Sequence, residues 1–382
     1  MTEDKATRYH RLKRRSEVAA ILWSAVCLFA LLATGLSRRL ADVAGSLSAG
    51  ALWGSVPLVV LGLALAHQLG ALPLAWHGHT LERRYNLSRQ SAGEWLLDHL
   101  KAAGLAVLLA VGAAMVVYQA MAWMPSVWWL AAGAAMAVGV TGVAMLAPVL
   151  LLPLFFRVAP LTRVSLVTRL ERLAARAGTP VVGVYEWVLG QKSTRANAAL
   201  TGLGSTRRIL VSDTMLADYS EDEIEVVLAH ELGHHVHHDI WRAVAAESAL
   251  LLLVCAAGDF VLRTLGPLAG VSLPADLAGM PLLALAAGAV SLAVTPLGLA
   301  LSRHHERRAD RFALALTDNP DAFISAMRRL GAQNLAEEHP SRLVRWLFHS
   351  HPPVSERLAL ARSWNRASPS AQPDGRMRRL EG

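Results

Sequence analysis

Charged side chains and cysteines are both scarce in this chain. Only 17% of its 382 residues are charged, whereas a soluble domain carries about 25%. The two cysteines, Cys27 and Cys255, do not have the spacing of a metal cluster, and both lie in apolar runs, where we expect ordinary small hydrophobic residues. No basic stripe interleaved with aromatic residues occurs, so the net charge of +8 does not indicate nucleic-acid binding.

The apolar residues, 54% of the chain, are concentrated in runs long enough to cross a bilayer, which takes about 20 residues. These runs predict six transmembrane helices, at residues 18–36, 52–76, 102–122, 127–156, 243–262 and 277–301. A basic segment precedes the first run, as in a signal peptide, but further spans follow instead of a cleavage site and a soluble chain. We therefore expect a retained first helix and a mainly α, polytopic membrane protein.

Lysine and arginine accumulate on one side of the predicted spans. They are frequent before the first span and in the connection 77–101, sparse in the connection 37–51, and absent from residues 123–126. Because such residues stay on the cytoplasmic side, both termini and the polar segments 157–242 and 302–382 are predicted to be cytoplasmic, with the chain in the plasma membrane. The net positive charge then reflects this bias and an attraction to anionic lipid, so membrane lipid is an expected partner.

The sequence predicts three regions: a four-span membrane region at 1–156, a mixed region at 157–366 that includes the last two spans, and a disordered tail at 367–382. Periodicity in the mixed region predicts helices at 162–176, 303–316 and 321–335, with a break at Pro320. Short strands are predicted within 180–189 and at 208–211. A capping-box pattern from Ser220 to Glu223 predicts the start of a further helix.

That further helix contains the stretch VVLAHELGHHVHHD, in which His230, Glu231 and His234 form an H-E-x-x-H motif. Residues four apart on a helix lie on one face, so both imidazoles can bind the same metal ion. Glu231 lies about 100° round the helix, where it can accept a proton from an attacking water without binding the metal. We expect the other histidines of the cluster to form a solvated or interfacial helix end; these are His235, His237 and His238.

A catalytic zinc ion usually has a third protein ligand and one position open for water. The stretch SRHHERRAD, just after the last span, contains Glu306, which can complete a set of two histidines and one glutamate. Asp310, one helical turn later, can then bind the outer nitrogen of a ligating histidine. The alternative is a solvated helix in which Glu306 pairs with neighbouring arginines.

Two weaker motifs contain further candidates. In HPPVSER, His351 and Arg357 can stabilise an oxyanion formed when water attacks a carbonyl, but a turn and a surface helix would have the same sequence. Asn197 and Ala198, between the predicted strands, suit the binding of an extended peptide by main-chain hydrogen bonds, although an ordinary loop is the alternative.

These motifs follow one another in the order found in the M48 metallopeptidases. The chain resembles the integral-membrane members of that family, the CAAX prenyl proteases of the sterile-24 type and the HtpX heat-shock proteases. The motif-bearing part covers residues 152–358, approximately. The N-terminal half, with four spans, is more similar to the CAAX proteases, since HtpX chains are shorter there.

The resemblance implies a zincin-like α+β catalytic domain at the cytoplasmic face, with one zinc ion bound by His230, His234 and Glu306. It also implies roles for six other residues: Glu231 as general base, Asp310 as orienting residue, His351 and Arg357 as transition-state stabilisers, and Asn197 and Ala198 as substrate-binding residues. The sterile-24 type has seven spans around a chamber, whereas this sequence predicts six. The histidine helix and residues 95–100 are the candidates for a seventh.

By this resemblance the chain is a membrane-embedded zinc endopeptidase that uses Glu231-assisted attack of zinc-activated water on peptide or protein substrates, which can be membrane-associated or lipidated. An HtpX-like protease for membrane-protein quality control is the nearer alternative. A metallopeptidase-domain signal transducer is the distant one, because the predicted outer connections are short. His67, Glu247 and Asp259 lie within spans and should either face a polar interior or pair between helices.

Overall fold

The computed structural model describes residues 4–150, 152–202 and 207–367. The described residues form 14 α-helices and four β-strands. In chain order they are α1 (Lys5–Ala33), α2 (Leu36–Leu47), α3 (Leu52–Arg84), α4 (Ala92–Trp123), α5 (Trp128–Leu150), α6 (Leu152–Phe155), β1 (Arg157–Pro160), α7 (Val164–Arg176), β2 (Val184–Val188), β3 (Ala198–Thr201), β4 (Arg208–Ser212), α8 (Asp213–Asp218), α9 (Glu221–Val236), α10 (Asp239–Leu265), α11 (Met280–Thr317), α12 (Pro320–Gln333), α13 (Arg342–Phe348) and α14 (Val354–Ala367). The tail that the sequence predicts to be disordered lies, after Ala367, among the residues that the structure does not describe.

By their internal contacts the residues fall into two units. The membrane unit comprises Arg8–Leu151 and Trp241–Leu297, so it groups the last two spans with the first four. The site unit comprises Met1–Thr7, Leu152–Ile240 and Gly298–Gly382. It contains all nine residues that the sequence predicts for the site.

Within the described residues, six helical segments are long and apolar enough to cross a membrane, which confirms the predicted number of spans. They are α1, α3, α4, α5, α10 and the segment Leu277–Thr317 that contains α11. The predicted first span ends early, at Ala33, because Gly35 adopts a left-handed conformation (φ 71°) between α1 and α2. Among the described residues neither candidate provides a seventh span: residues 95–100 belong to α4, and α9 is buried in a core outside the membrane unit.

Polar side chains within the predicted spans make contacts inside the membrane unit. Asp259 accepts a hydrogen bond from Trp128 Nε1 at 2.6 Å, and His67 Nε2 lies 2.9 Å from the hydroxyl of Ser24. These contacts favour pairing between helices for Asp259 and His67, with partners that the sequence did not predict. Glu247 is exposed on α10.

The site unit is built on a four-stranded sheet in the order β1-β2-β4-β3. β2 and β4 are parallel, the two outer pairs are antiparallel, and β3 is therefore an edge strand. The amphipathic α7 confirms the helix predicted at 162–176, and β2 and β4 confirm the two predicted strands. Apolar side chains from α7, β4, α9 and α12 form one core, including Leu166, Ile209, Leu228 and Phe323, each of which is fully buried.

Helix α9 starts where its capping box predicts. The Ser220 hydroxyl accepts a hydrogen bond from Glu223 N at 3.2 Å, and the Glu223 carboxylate accepts one from Ser220 N at 2.8 Å. Such a cap stabilises a helix by about 1 kcal/mol. Helix α11, in contrast, is continuous over 38 residues, so the helix predicted at 303–316 is the last part of a helix that begins in the membrane unit. Helix α12 begins at Pro320, with Asn319 as its N-cap, as the predicted break requires.

Candidate metal centre

A glycine allows the two helices of the site to approach closely. A Cβ atom added at Gly233 would lie 3.0 Å from the backbone Cα of Ala309, closer than real Cβ atoms normally come. Gly233 belongs to the H-E-x-x-H motif on α9, and Ala309 follows Glu306 by three residues on α11. The close approach therefore brings the histidine face of α9 against the face of α11 that carries Glu306.

Three buried or half-buried side chains meet where these faces cross. His230 Nε2 and His234 Nε2 lie 3.3 Å apart, Glu306 Oε2 lies 3.3 Å from His230 Nε2, and Glu306 Oε1 lies 3.5 Å from His234 Nε2. Ligand atoms around a tetrahedral ion with bonds of about 2.0–2.1 Å are separated by about 3.3–3.4 Å. The two imidazole nitrogens lie at these separations from each other and each from one oxygen of the same carboxylate. One ligand atom from each of the three side chains lies within 4.8 Å of the other two, so the set can hold one metal ion.

Glu306 Oε2 supports this fit. The atom is buried and has no hydrogen bond of acceptable geometry, although Nδ1 of His351 lies 2.8 Å away. An uncompensated carboxylate oxygen in the protein interior is costly. A metal cation bound between Glu306 and the two imidazoles would satisfy it.

The outer nitrogen of His230 is held by a buried ion pair. His230 Nδ1 lies 2.9 Å from Asp310 Oδ1, and Asp310 is 1% exposed. Arg357, from α14, binds the same carboxylate with both arms of its guanidinium, Nε to Oδ2 at 2.9 Å and Nη2 to Oδ1 at 2.5 Å. The predicted orienting residue therefore contacts the histidine as expected. The contacts of Arg357 favour a positioning role, and its stabilisation of a transition state stays a prediction.

The outer nitrogen of His234 has an equivalent partner that sequence reasoning missed. His234 Nδ1 lies 3.0 Å from Oδ2 of Asp239, which is buried, and Arg308 of α11 pairs with the other oxygen of that carboxylate. The chain reaches this position because His238 adopts a left-handed conformation (φ 57°) just after α9 ends. The available signal was an acid directly after the histidine cluster.

The carboxylates also control the protonation of the two histidines. Burial by itself lowers the pKa of His230, but the neighbouring carboxylates of Asp310 and Glu306 raise it to about 9. Burial opposes protonation of His234 in the same way, and the hydrogen bond to Glu306 outweighs it, so that its pKa is also raised. Both imidazoles thus lie in a field that favours positive charge between them, which is the field that a metal cation requires.

Glu231 and His351 border the same cluster. Burial raises the pKa of the Glu231 carboxyl, while the neighbouring His230 and His234 charges act in the opposite direction. A carboxylate with a raised pKa is a better proton acceptor than a solvated one. The His351 side chain is 63% exposed while its Nδ1 lies beside Glu306, so it stands at the open side of the site.

Asn197 and Ala198 lie at the start of the edge strand β3. Asn197 is exposed, and its main chain exchanges hydrogen bonds with Ser212, namely Ser212 N to the Asn197 carbonyl and Asn197 N to the Ser212 hydroxyl, both at 2.9 Å. His235 lies 3.2 Å from the Leu200 carbonyl through its Nε2 atom, which joins α9 to β3. The His235 ring therefore has a structural partner and is not one of the three metal-binding candidates.

Comparisons with known proteins agree with this architecture. Residues 160–365 match peptidase family M48, and residues 2–157 match the CAAX prenyl protease N-terminal region, described as five membrane helices. An uncharacterized metalloprotease of Bacillus subtilis, YhfN, is 31% identical over 310 residues, which cover 78% of this chain and 71% of the relative. The probable CAAX prenyl protease 1 of Schizosaccharomyces pombe is 27% identical over 308 residues, covering 78% and 64%, respectively.

A protease HtpX homolog from Campylobacter concisus is 30% identical, but over only 209 residues, or 50% of this chain and 70% of the relative. The crystal structure of S. mikatae Ste24p has the same fold, with a TM-score of 0.79 at 23% identity over 93% of this chain and 87% of that one. The S. pombe CAAX prenyl protease thus matches a larger share of this chain than the HtpX homolog does. The chain belongs to peptidase family M48 and is an integral-membrane metalloprotease of the CAAX prenyl protease type.

Proposed function

We propose that the chain binds one zinc ion through His230, His234 and Glu306 and hydrolyses peptide bonds at the cytoplasmic face of the plasma membrane. The observation that carries the proposal is that the two histidine Nε2 atoms lie 3.3 Å apart and each lies 3.3–3.5 Å from one of the two oxygens of Glu306, which suits a tetrahedral ion. Nitrogen and carboxylate ligands in this ratio are typical of catalytic zinc sites in hydrolases. The division of the sequence into a membrane region up to residue 156 and a metallopeptidase region from residue 157 belongs to the same proposal.

In this mechanism a bound zinc ion would polarise the scissile carbonyl and acidify the attacking water. Glu231 accepts the proton of that water on its carboxylate and returns it to the leaving amine. Asp310 and Asp239 keep the Nε2 atoms of the two histidines turned toward the site. His351, exposed beside Glu306, donates a hydrogen bond to the oxyanion, and Arg357 keeps Asp310 charged and in place.

The substrate is proposed to bind as an extended strand beside β3. An edge strand can pair with a peptide through its main chain. Ala198 is the first residue of that strand, and Asn197 directly precedes it. Several relatives are named CAAX prenyl proteases, so a peptide with a lipidated C-terminal region at the membrane is the preferred substrate class. Cleavage of damaged membrane proteins, the alternative implied by the resemblance to HtpX proteases, is the second candidate, and one relative has that name.

Glu231→Gln tests the mechanism. The amide keeps the size of the side chain but cannot accept the proton, so we expect the purified variant to retain about one zinc ion per chain while its cleavage rate falls by about 10²–10⁴-fold or more. Glu225→Gln, on the same helix, is the matched control, because Glu225 pairs with Arg169 away from the site. Cleavage by Glu231→Gln at the wild-type rate would show that Glu231 is not the base.

Matched peptides with and without a prenyl group separate the two substrate classes. A preference for the prenylated peptide supports CAAX-type processing, whereas equal cleavage of both together with cleavage of misfolded membrane proteins supports quality control. If the wild type binds zinc fully but cleaves neither the peptides nor the misfolded membrane proteins, the peptidase proposal fails and the signal-transducer alternative is favoured. Chelation should abolish wild-type cleavage, and added zinc should restore it.

A further inference from the structure

Helix α13 has an apolar composition but no buried residue. Five of the seven residues in its sequence RLVRWLF are hydrophobic, and none of them is buried. Leu343 is 64% exposed, Trp346 is 51% exposed and Phe348 is 39% exposed. A helix stabilised by packing on the protein would bury such side chains, so its composition points to contact with something outside the chain.

The protein nevertheless holds α13 firmly through its main chain. Ser341 caps the helix by accepting a hydrogen bond from Val344 N at 3.3 Å. At the other end the buried Arg303 donates to the carbonyls of Arg345 at 3.0 Å and His349 at 2.6 Å. The outward direction of the apolar side chains is therefore set by fixed backbone contacts.

Arg303 also links α13 to the end of the apolar run of α11. It is the first charged residue after the apolar run of α11, and Leu301, two residues earlier, is 41% exposed. Long arginine side chains near the ends of spans reach to the membrane interface. Because α13 is hydrogen-bonded to that arginine, its exposed tryptophan and leucine would then lie at the depth where amphipathic aromatic side chains are favoured.

We propose that α13 docks on the membrane, with Leu343, Trp346 and Phe348 in the boundary between headgroups and acyl chains of an anionic bilayer. Arg342 has no carboxylate partner among the described residues, and Arg345, 3.8 Å from Glu356, is still 41% exposed, so both can meet lipid phosphates. A second copy of the chain fits less well. A seven-residue helix is only about 10 Å long, far too small for the ~1,200 Å² that a stable interface buries.

Docking of α13 would act directly on the site. His351 follows Phe348 by three residues, and its Nδ1 lies 2.8 Å from Glu306. A bilayer that holds α13 therefore also holds the loop that carries His351. The open side of the metal centre would in this way be kept next to the lipid surface.

Spin labels at Leu343→Cys and Trp346→Cys, in a background without Cys27 and Cys255, test the proposal in vesicles of mixed anionic and zwitterionic lipid. Power saturation with oxygen, which concentrates in lipid, and with a water-soluble nickel chelate gives the depth of each label. Leu65→Cys, exposed on α3, is the lipid reference, and Ser363→Cys, exposed on α14, is the water reference. Zinc content and the reference spectra report folding, and no step depends on peptidase activity.

We expect both α13 labels to be more accessible to oxygen than to the nickel chelate, with ratios close to the Leu65 reference. In anionic vesicles, Arg342→Ala should lower the ratio of docked to undocked α13 about fivefold, since one arginine near the surface contributes about 1 kcal/mol. In purely zwitterionic vesicles this ratio should not change. Ratios equal to the Ser363 reference would overturn the proposal. So would protection from both reagents with dipolar broadening that grows with protein density, which would mean self-association.

Discussion

Asp239→Ala tests how the second metal-binding histidine is held. The substitution removes the carboxylate that lies 3.0 Å from His234 Nδ1 and leaves Arg308 without its partner. Without that acceptor the imidazole of His234 can turn and can carry its proton on Nε2, the atom that faces His230 and Glu306. Loss of such an outer partner typically weakens metal binding by about 10–100-fold, equivalent to about 1.4–2.7 kcal/mol.

The assay is competition for zinc between the purified protein in detergent and a chromophoric chelator. We expect Asp239→Ala to bind zinc about 10–100-fold more weakly than the wild type. Asp239→Asn should lose less zinc affinity, because its amide oxygen still accepts a hydrogen bond. Asp222→Ala is the matched control. It removes an aspartate that pairs with Arg169 at the start of α9, so zinc affinity should not change.

Two results would refute this reasoning. Wild-type zinc affinity in Asp239→Ala, together with weaker binding in Asp310→Ala, would mean that only His230 depends on an outer carboxylate. A lowered melting temperature of the zinc-free protein with unchanged zinc affinity would mean that Asp239 serves only its ion pair with Arg308. A double substitution with His234→Ala adds a check, since the effect of Asp239→Ala on zinc should then largely disappear.

Three further predictions follow from other contacts. Glu306→Ala should lower zinc content, whereas Arg307→Ala should retain it, because Arg307 is ion-paired on another side of α11; equal zinc content in Glu306→Ala and wild type would reject the third ligand. Burial alone would raise the pKa of Glu223, but hydrogen bonds and a nearby arginine lower it below its ordinary 4.5, so its stabilisation is complete above that pH and is lost as the pH falls through the lowered value. Glu223→Gln should accordingly flatten the acid limb of the stability curve measured by thermal melting. Single cysteines at Ser46 and Ser363, in a cysteine-free background, should be labelled from opposite sides of the membrane, and labelling of both from outside would exclude a cytoplasmic site.

Local sequence determined the features that depend on one segment at a time. A run of about 20 apolar residues can satisfy its backbone in a bilayer only as a helix, so composition alone predicted the six spans. The spacing of His230 and His234 follows from the helical repeat, and the start of their helix follows from the hydroxyl of Ser220 and the carboxylate of Glu223. The ends of the spans were predicted less accurately. Gly35 ends the first helix, and α11 continues past its apolar run, and hydropathy shows neither of these boundaries.

Tertiary structure decided what depends on residues far apart or on an unusual backbone angle. Asp310 and Arg357 are 47 residues apart, and only the packing of α14 against α11 makes them one buried ion pair. Asp239 reaches His234 because the chain turns at a left-handed residue, which periodicity cannot predict. The position of β3 at the sheet edge, next to α9, results from pairing with a strand that comes later in the sequence. Such contacts depend on the balance of packing and hydrogen bonding over the whole unit, so motifs in the sequence can name the residues but cannot place them.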